Sequence, residues 1–142
     1  MGSYFSATDI SASGLTAERL RMEVVANNLA NAHTTRTADG GPYRRQQVLF
    51  QSMVGDALGQ VNGGQFRGVK VLGVEPDQSD FAKVYQPGHP DADKEGFVLM
   101  PNVSTANEMV DLITASRAYE ANLKALQSFR QITENALSLL RS

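Results

Sequence analysis

The residues best placed to do chemistry lie between 89 and 95, where His89 is followed by Asp91, Asp93 and Glu95 at alternate positions. Carboxylates at such spacing could begin an oxygen shell for a hard cation. The ligand set is thin, however, and the loop lacks the glycine and terminal glutamate of an EF-hand, so a solvated acidic turn is the plainer reading. His33 and His89 are the two histidines, and neither stands in an H-E-x-x-H or similar metal spacing. There is no cysteine, which removes thiol nucleophiles, thiolate ligands and disulfides. No serine sits in a G-x-S-x-G elbow. The glycines between 55 and 73 form neither a P-loop nor a dinucleotide fingerprint. Arg44 and Arg45 beside Tyr43 are too few for a nucleic-acid patch, and a net charge of −2 gives no general attraction to nucleic acid or anionic lipid. No constellation supports catalysis, a cofactor or a bound metal. The chain reads as structural.

The 142 residues, 42% apolar and 20% charged, fit one domain or one small folded insert between extended ends. The beginning, Met1 to Asp9, has neither a basic n-region nor an apolar h-region, so no cleaved secretory signal is expected, and no run approaches a membrane span. From Asp9 to Asn31 the pattern is helical: Leu15, Met22 and Leu29 recur every seven residues, with Val25 and Ala32 in the intermediate slots and Glu18 as the misfit. Gly14 should loosen the first turns, since glycine costs about 1 kcal/mol against alanine in a helix. The helix ends on Ala26-Asn27-Asn28-Leu29-Ala30-Asn31. Asparagine forms helices poorly because its amide competes for backbone hydrogen bonds. Either Asn31 caps the helix with Asn27 and Asn28 exposed, or one of these amides is buried between helices and fixes their register.

Residues 33 to 42 form a polar loop closed by a turn, and Tyr43 to Gln51 an extended segment. The glycine-rich stretch 52 to 67 reads as a connection, with Asn62-Gly63-Gly64 as a turn signal. Val69 to Val74, Phe81 to Tyr85 and Gly96 to Met100 read as strands, and proline and glycine keep Gln86 to Asp93 irregular. Such an insert has few apolar residues and is marginal alone.

The last forty residues dominate the chain. Thr105 and Glu108 have capping-box spacing, and no glycine or proline follows them before Ser142. A helix from Thr105 to Leu140 would be roughly 54 Å long at about 1.5 Å per residue. Alternate steps of three and four from Met109 give one seam through Met109, Leu112, Ser116, Tyr119, Leu123, Leu126, Arg130, Thr133, Leu137 and Leu140, seven of the ten apolar. A second runs beside it through Val110, Ile113, Phe129, Ile132 and Leu139. Two seams exceed what one partner helix can cover, so the second is expected to face another molecule.

Three blocks then carry a resemblance to a known family. The first is Val24-Val25-Ala26-Asn27-Asn28-Leu29-Ala30-Asn31-Ala32. The second is Gly40-Gly41-Pro42-Tyr43-Arg44-Arg45-Gln46, followed by Val48 and Phe50. The third runs from Val84-Tyr85-Gln86-Pro87-Gly88-His89-Pro90-Asp91-Ala92-Asp93 through Gly96-Phe97-Val98 to Met100-Pro101-Asn102-Val103, and is continued by Glu108 to Asp111 and Ser116 to Asn122. The sequence resembles the axial proteins of the bacterial flagellum, and within them the proximal rod family of the FlgC type. Ser104 to Asn107 and the residues after Phe129 depart from the family's pattern by being more polar.

The resemblance implies an α+β, mainly α fold. Long N- and C-terminal helices would pack as an antiparallel, coiled-coil-like pair around a small β-rich insert, with a helix in 1–34, the insert in 35–101 and the second helix in 102–142. It implies a structural subunit of the hollow periplasmic drive shaft, transmitting torque, conducting exported axial subunits and leaving the cell by type III export without a cleaved signal. Partners would be copies of itself, rod proteins of the FlgB, FlgF and FlgG types, the FliE-type junction protein, the MS ring and, during secretion, the export apparatus. No nucleic acid and no membrane insertion are implied. The subunit-interface residues expected on this reading are Leu15, Met22, Val25, Asn27, Asn28, Leu29, Asn31, Met109, Leu112, Ile113, Tyr119, Leu123, Leu126, Phe129, Ile132, Leu137 and Leu140. The alternatives are a sister rod protein of the FlgB type, or a type III secretion chaperone or helical adaptor.

Overall fold

The computed structural model describes residues 2–54 and 66–141. The expected glycine-rich connection and its Asn62-Gly63-Gly64 turn fall mainly outside the described residues. Helix α1 spans Gly2–Ala30 and α2 spans Thr105–Arg141. Between them come strands β1, Gln46–Val54, β2, Phe66–Pro76, β3, Ala82–Tyr85, and β4, Phe97–Met100. Strands β1 and β2 form one two-stranded sheet, β3 and β4 another. The second is antiparallel, with Ala82 opposite Met100 and Tyr85 opposite Phe97. Two terminal helices with a small two-sheet insert make the mainly helical α+β fold expected from the sequence.

Contacts divide the chain into two units, and each draws on both helices. One comprises residues 1–20, 49–73 and 114–142. Here α1 is continuous through Gly14. A Cβ at Gly14 would stand 2.8 Å from Asn122 Nδ2, so the glycine lets the two helices approach closely. Ser13 Oγ donates to Ile10 O at 2.7 Å and accepts the Val69 N–H at 3.1 Å, joining β2 to this half of α1. Ser11, Ala17 and Ala115 are buried in this unit.

The other unit comprises residues 21–48 and 74–113. Arg21 meets Asp111 at 3.3 Å while Asn28 meets Glu108 at 3.0 Å, so α1 ascends as α2 descends and the pair is antiparallel. Helix α2 is started by Ser104 rather than by a Thr105–Glu108 box. The Ser104 carbonyl accepts the Glu108 N–H at 2.9 Å, and its hydroxyl lies 3.5 Å from the Asn107 nitrogen. Glu108 is thereby free to point inward. The turn joining β3 to β4 closes on Asp93, whose Oδ1 accepts the N–H groups of Glu95 and Phe97, both at 2.9 Å. Gly96 takes φ +84° there, against the edge of the Tyr85 ring. Tyr85 and Phe97 pack edge to face with centroids 5.3 Å apart.

The buried apolar side chains among the described residues are small: Ala17, Val25, Ala32, Val98 and Ala115. The bulkiest fully buried side chains are Glu108, Val98 and Asn28. Two of those three are polar.

Candidate functional site

Asn28 is the centre of the polar cluster in the second unit. Its Oδ1 accepts from the Tyr43 hydroxyl and from the Gln46 N–H, both at 2.9 Å. Its Nδ2 donates to the Gln46 carbonyl at 2.8 Å and to Glu108 Oε2 at 3.0 Å. An amide has two donors and two acceptor lone pairs, so all four are used. Towards Gln46 the side chain behaves like one residue of a neighbouring strand, donating to and accepting from the same backbone residue. The amide that sequence reading placed between helices is therefore Asn28. Both readings hold in part, because Asn27 is exposed and Asn31 caps the helix, its Nδ2 donating to Asn27 O at 2.9 Å.

Glu108 stands in the first turn of α2, where the positive end of the helix dipole favours a carboxylate. Its Oε1 accepts from Arg45 Nε at 2.6 Å. Arg45 also faces Asp77 at 3.4 Å and Asp111 at 3.6 Å. Burial works against the Arg45 charge, but the hydrogen bond and charge of Glu108, then those of Asp77, outweigh it and raise the guanidinium above its ordinary pKa. Tyr43 is raised as well, first by burial and then by the negative charge of Glu108. Asp77 is held below the usual carboxylate range, first by the Ser79 N–H, then by the Ser79 hydroxyl, with Arg45 adding to the effect and burial opposing it.

The backbone of this segment is tied down at the same time. The Arg45 N–H donates to Asn102 Oδ1 at 2.8 Å, and the Asp77 N–H donates to Arg45 O at 2.8 Å. Asn102 Nδ2 reaches the Asp77 and Ser79 carbonyls, both at 3.2 Å. Arg44 Nη1 donates to those same carbonyls at 2.9 and 3.1 Å, and its guanidinium lies 4.2 Å from the Phe81 ring centroid. The basic pair of the second block is thus engaged within the chain.

The acidic turn is likewise engaged. Asp91 Oδ2 accepts from the Thr35 hydroxyl at 2.8 Å and Oδ1 lies 3.6 Å from Arg36. The Asp91 N–H donates to His89 Nδ1 at 3.1 Å. Among the described residues no group of three His, Asp or Glu side chains is placed to hold a metal ion.

The expected interface residues separate into two sets. Val25 and Asn28 are buried by the chain itself, and Leu15, Met22, Leu29, Asn31, Leu112, Tyr119, Leu126 and Phe129 are half-buried. Asn27, Met109, Ile113, Leu123, Ile132, Leu137 and Leu140 are exposed. The inward face of α2 follows Glu108, Leu112, Ala115, Tyr119, Asn122, Leu126 and Phe129. Of the first predicted seam it keeps Leu112, Tyr119 and Leu126 and replaces Met109 and Leu123. Sequence reasoning missed Glu108 and Asn122 because apolar periodicity passes over polar residues that face inward.

These features first define a class, a two-helix subunit with a small β insert, and the comparisons place it in a family. A family model described as flagella basal body rod protein matches residues 9–36. Another, described as the C-terminal part of flagellar basal body rod FlgEFG proteins, matches residues 94–139. The chain is 43% identical to the flagellar basal-body rod protein FlgC of Borreliella burgdorferi, over 96% of this chain and 97% of that one. Against FlgC of Bacillus subtilis it is 42% identical over 95% and 97%, and against FlgC of Salmonella typhimurium 44% over 92% and 93%. The chain belongs to the FlgC family of flagellar basal-body rod proteins, structural components of the flagellum. Membership of a rod family implies assembly with other basal-body rod proteins. Among the described residues no helix is long and apolar enough to cross a membrane.

Proposed function

We propose that this chain is a non-catalytic subunit of the proximal rod, stacking helically with copies of itself and with FlgB-, FlgF- and FlgG-type proteins into the hollow periplasmic shaft. The shaft transmits torque and conducts exported axial subunits. Below it lie the FliE-type junction protein and the MS ring, and the chain reaches its place through the flagellar export apparatus.

Beyond the family relationship, one observation supports this reading. Helix α2 leaves Met109, Val110 and Ile113 exposed near its beginning and Ile132, Leu137, Leu139 and Leu140 exposed near its end. Apolar surface of this kind marks an interaction site. Together with Leu123 these residues are the proposed contacts to neighbouring subunits, while Val25 and Asn28 shape the subunit from within.

The test is deletion of the gene, complementation with an epitope-tagged copy, and purification of basal bodies. The tagged chain is expected in rods, with swimming restored. Restored swimming with the chain absent from purified basal bodies overturns the assignment and favours a secretion adaptor.

A further inference from the structure

We propose that the Asn28–Glu108–Arg45 contact is a late-closing latch, which makes residues 21–48 and 74–113 fold as one cooperative unit only once the beginning of α2 has arrived. Three segments distant in sequence supply its parts: Asn28 from the end of α1, Tyr43 to Gln46 from the approach to β1, and Asn102 with Glu108 from the start of α2. Asn28 and Glu108 are fully buried. A carboxylate loses its water only when charged and hydrogen-bonding partners replace it, and removing one partner of such a buried group is strongly destabilising. Glu108 therefore cannot be buried before both Arg45 and Asn28 are in position.

The dependence also runs the other way. The Arg45 N–H needs Asn102, and one Asn28 donor and the Arg45 Nε need Glu108. A chain ending before residue 102 would hold α1 against residues 43–46 with these groups unsatisfied. The small apolar side chains buried in this unit, Val25, Ala32 and Val98, offer little compensating burial. The closing step is consequently shared by all three segments rather than passed from one to the next.

Pulse-labelled hydrogen exchange during refolding of the full-length chain, read by mass spectrometry, tests this directly. Peptides covering 21–31, 43–48 and 105–113 are expected to gain protection with one common rate constant. Protection of 21–31 and 43–48 tenfold or more ahead of 105–113 overturns the latch. In native-state exchange, Glu108→Ala is expected to speed all three segments together by at least tenfold, while Arg36→Ala, which removes only the surface pair with Asp91, leaves them unchanged. Acceleration confined to 105–113 overturns it. If Glu108→Ala does not fold, Tyr43→Phe removes the hydroxyl that donates to Asn28 at 2.9 Å and accepts from the exposed Asn27 amide at 3.4 Å, and is expected to give a smaller rise, about threefold, again in all three segments; a rise limited to 43–48 counts against the proposal.

Discussion

Asn28 and Glu108 lie 80 positions apart in sequence, yet they meet side chain to side chain at 3.0 Å, and neither retains any exposed surface. This contact joins the asparagine-rich end of α1 to the first turn of α2. It gives those two segments a fixed register where apolar side chains alone would specify it weakly. Alanines and valines can slide past one another at modest loss, whereas an amide with four directed hydrogen bonds fits at one position only. Arg45, Tyr43 and Gln46 complete the setting, tying the second block to the helix pair.

Replacing Asn28 tests this register role. Asn28→Ala strands the Tyr43 hydroxyl, the Gln46 backbone groups and one Glu108 oxygen, and is expected to destabilise by about 3 kcal/mol, since each unsatisfied buried polar group costs roughly 1–3 kcal/mol. Asn28→Asp keeps the size but loses both donors and sets a second carboxylate against Glu108. At neutral pH it should be at least as damaging, and its deficit should shrink on acidification, because a protonated Asp regains a donor. Urea unfolding followed by circular dichroism at pH 7 and near pH 4 checks both; a deficit for Asn28→Asp that is constant with pH refutes the like-charge argument.

Asp77 supplies an acid dependence whose sign follows from its lowered pKa. Its folded value lies below the ordinary 3.8, so its contribution is present above that pH and is lost as pH falls through the folded value. Asp77→Asn should be less stable than the parent at pH 7, and the two should converge below about pH 4. Thermal melts across that range provide the comparison. A gap that persists at pH 2 would mean the loss is one of shape, not charge.

Gly14 and Asn122 predict a reversal of sign. Alanine at position 14 gains about 1 kcal/mol of helix propensity, but its Cβ would crowd Asn122 Nδ2 at 2.8 Å. In the parent chain Gly14→Ala should be neutral or destabilising. Once Asn122→Ala has cleared the space, the same substitution should stabilise by about 1 kcal/mol. Identical effects in both backgrounds, measured by a double-mutant cycle, would rule out the close helix approach.

How much of this was legible beforehand depended on what each signal encodes. The two helices announced themselves through apolar recurrence, α2 also through the absence of glycine and proline, and β2, β3 and β4 through short apolar runs between prolines and glycines. The asparagine cluster left two readings open, an exposed cap or a buried amide, and nothing in its spacing singled out Asn28 over Asn27. Glu108 was misread as half of a capping box because Thr105 precedes it at the right distance. The true cap, Ser104, shifts the helix start by one residue and turns Glu108 inward. The partners of Arg45 were invisible, since they come from segments linked only by the tertiary fold. The acidic turn at 91–95 read as a solvated turn, and its residues carried no sign that Asp91 and Asp93 fasten loops of their own chain.

The two faces of α2 yield the last prediction, because exposure separates folding from assembly. Leu137 is 57% exposed and Ile132 51%, so an aspartate at either position loses little within the subunit, and unfolding of the purified chain should change by no more than about 0.5 kcal/mol. The same charge placed between neighbouring subunits would have to be buried without a partner, at a cost of several kcal/mol per contact, repeated in every copy along the rod. Leu137→Asp and Ile132→Asp should therefore leave the subunit folded and exported but abolish swimming. Leu126→Asp, on the half-buried face, should lower subunit stability as well as abolish swimming, and Leu123→Asp, 37% exposed, should abolish swimming with an intermediate loss of stability. Soft-agar motility combined with circular dichroism of each purified variant separates the outcomes. Normal swimming by both Leu137→Asp and Ile132→Asp would show that the exposed end of α2 meets no neighbour. Normal swimming by Leu123→Asp or Leu126→Asp would remove the packing argument for the helix as a whole.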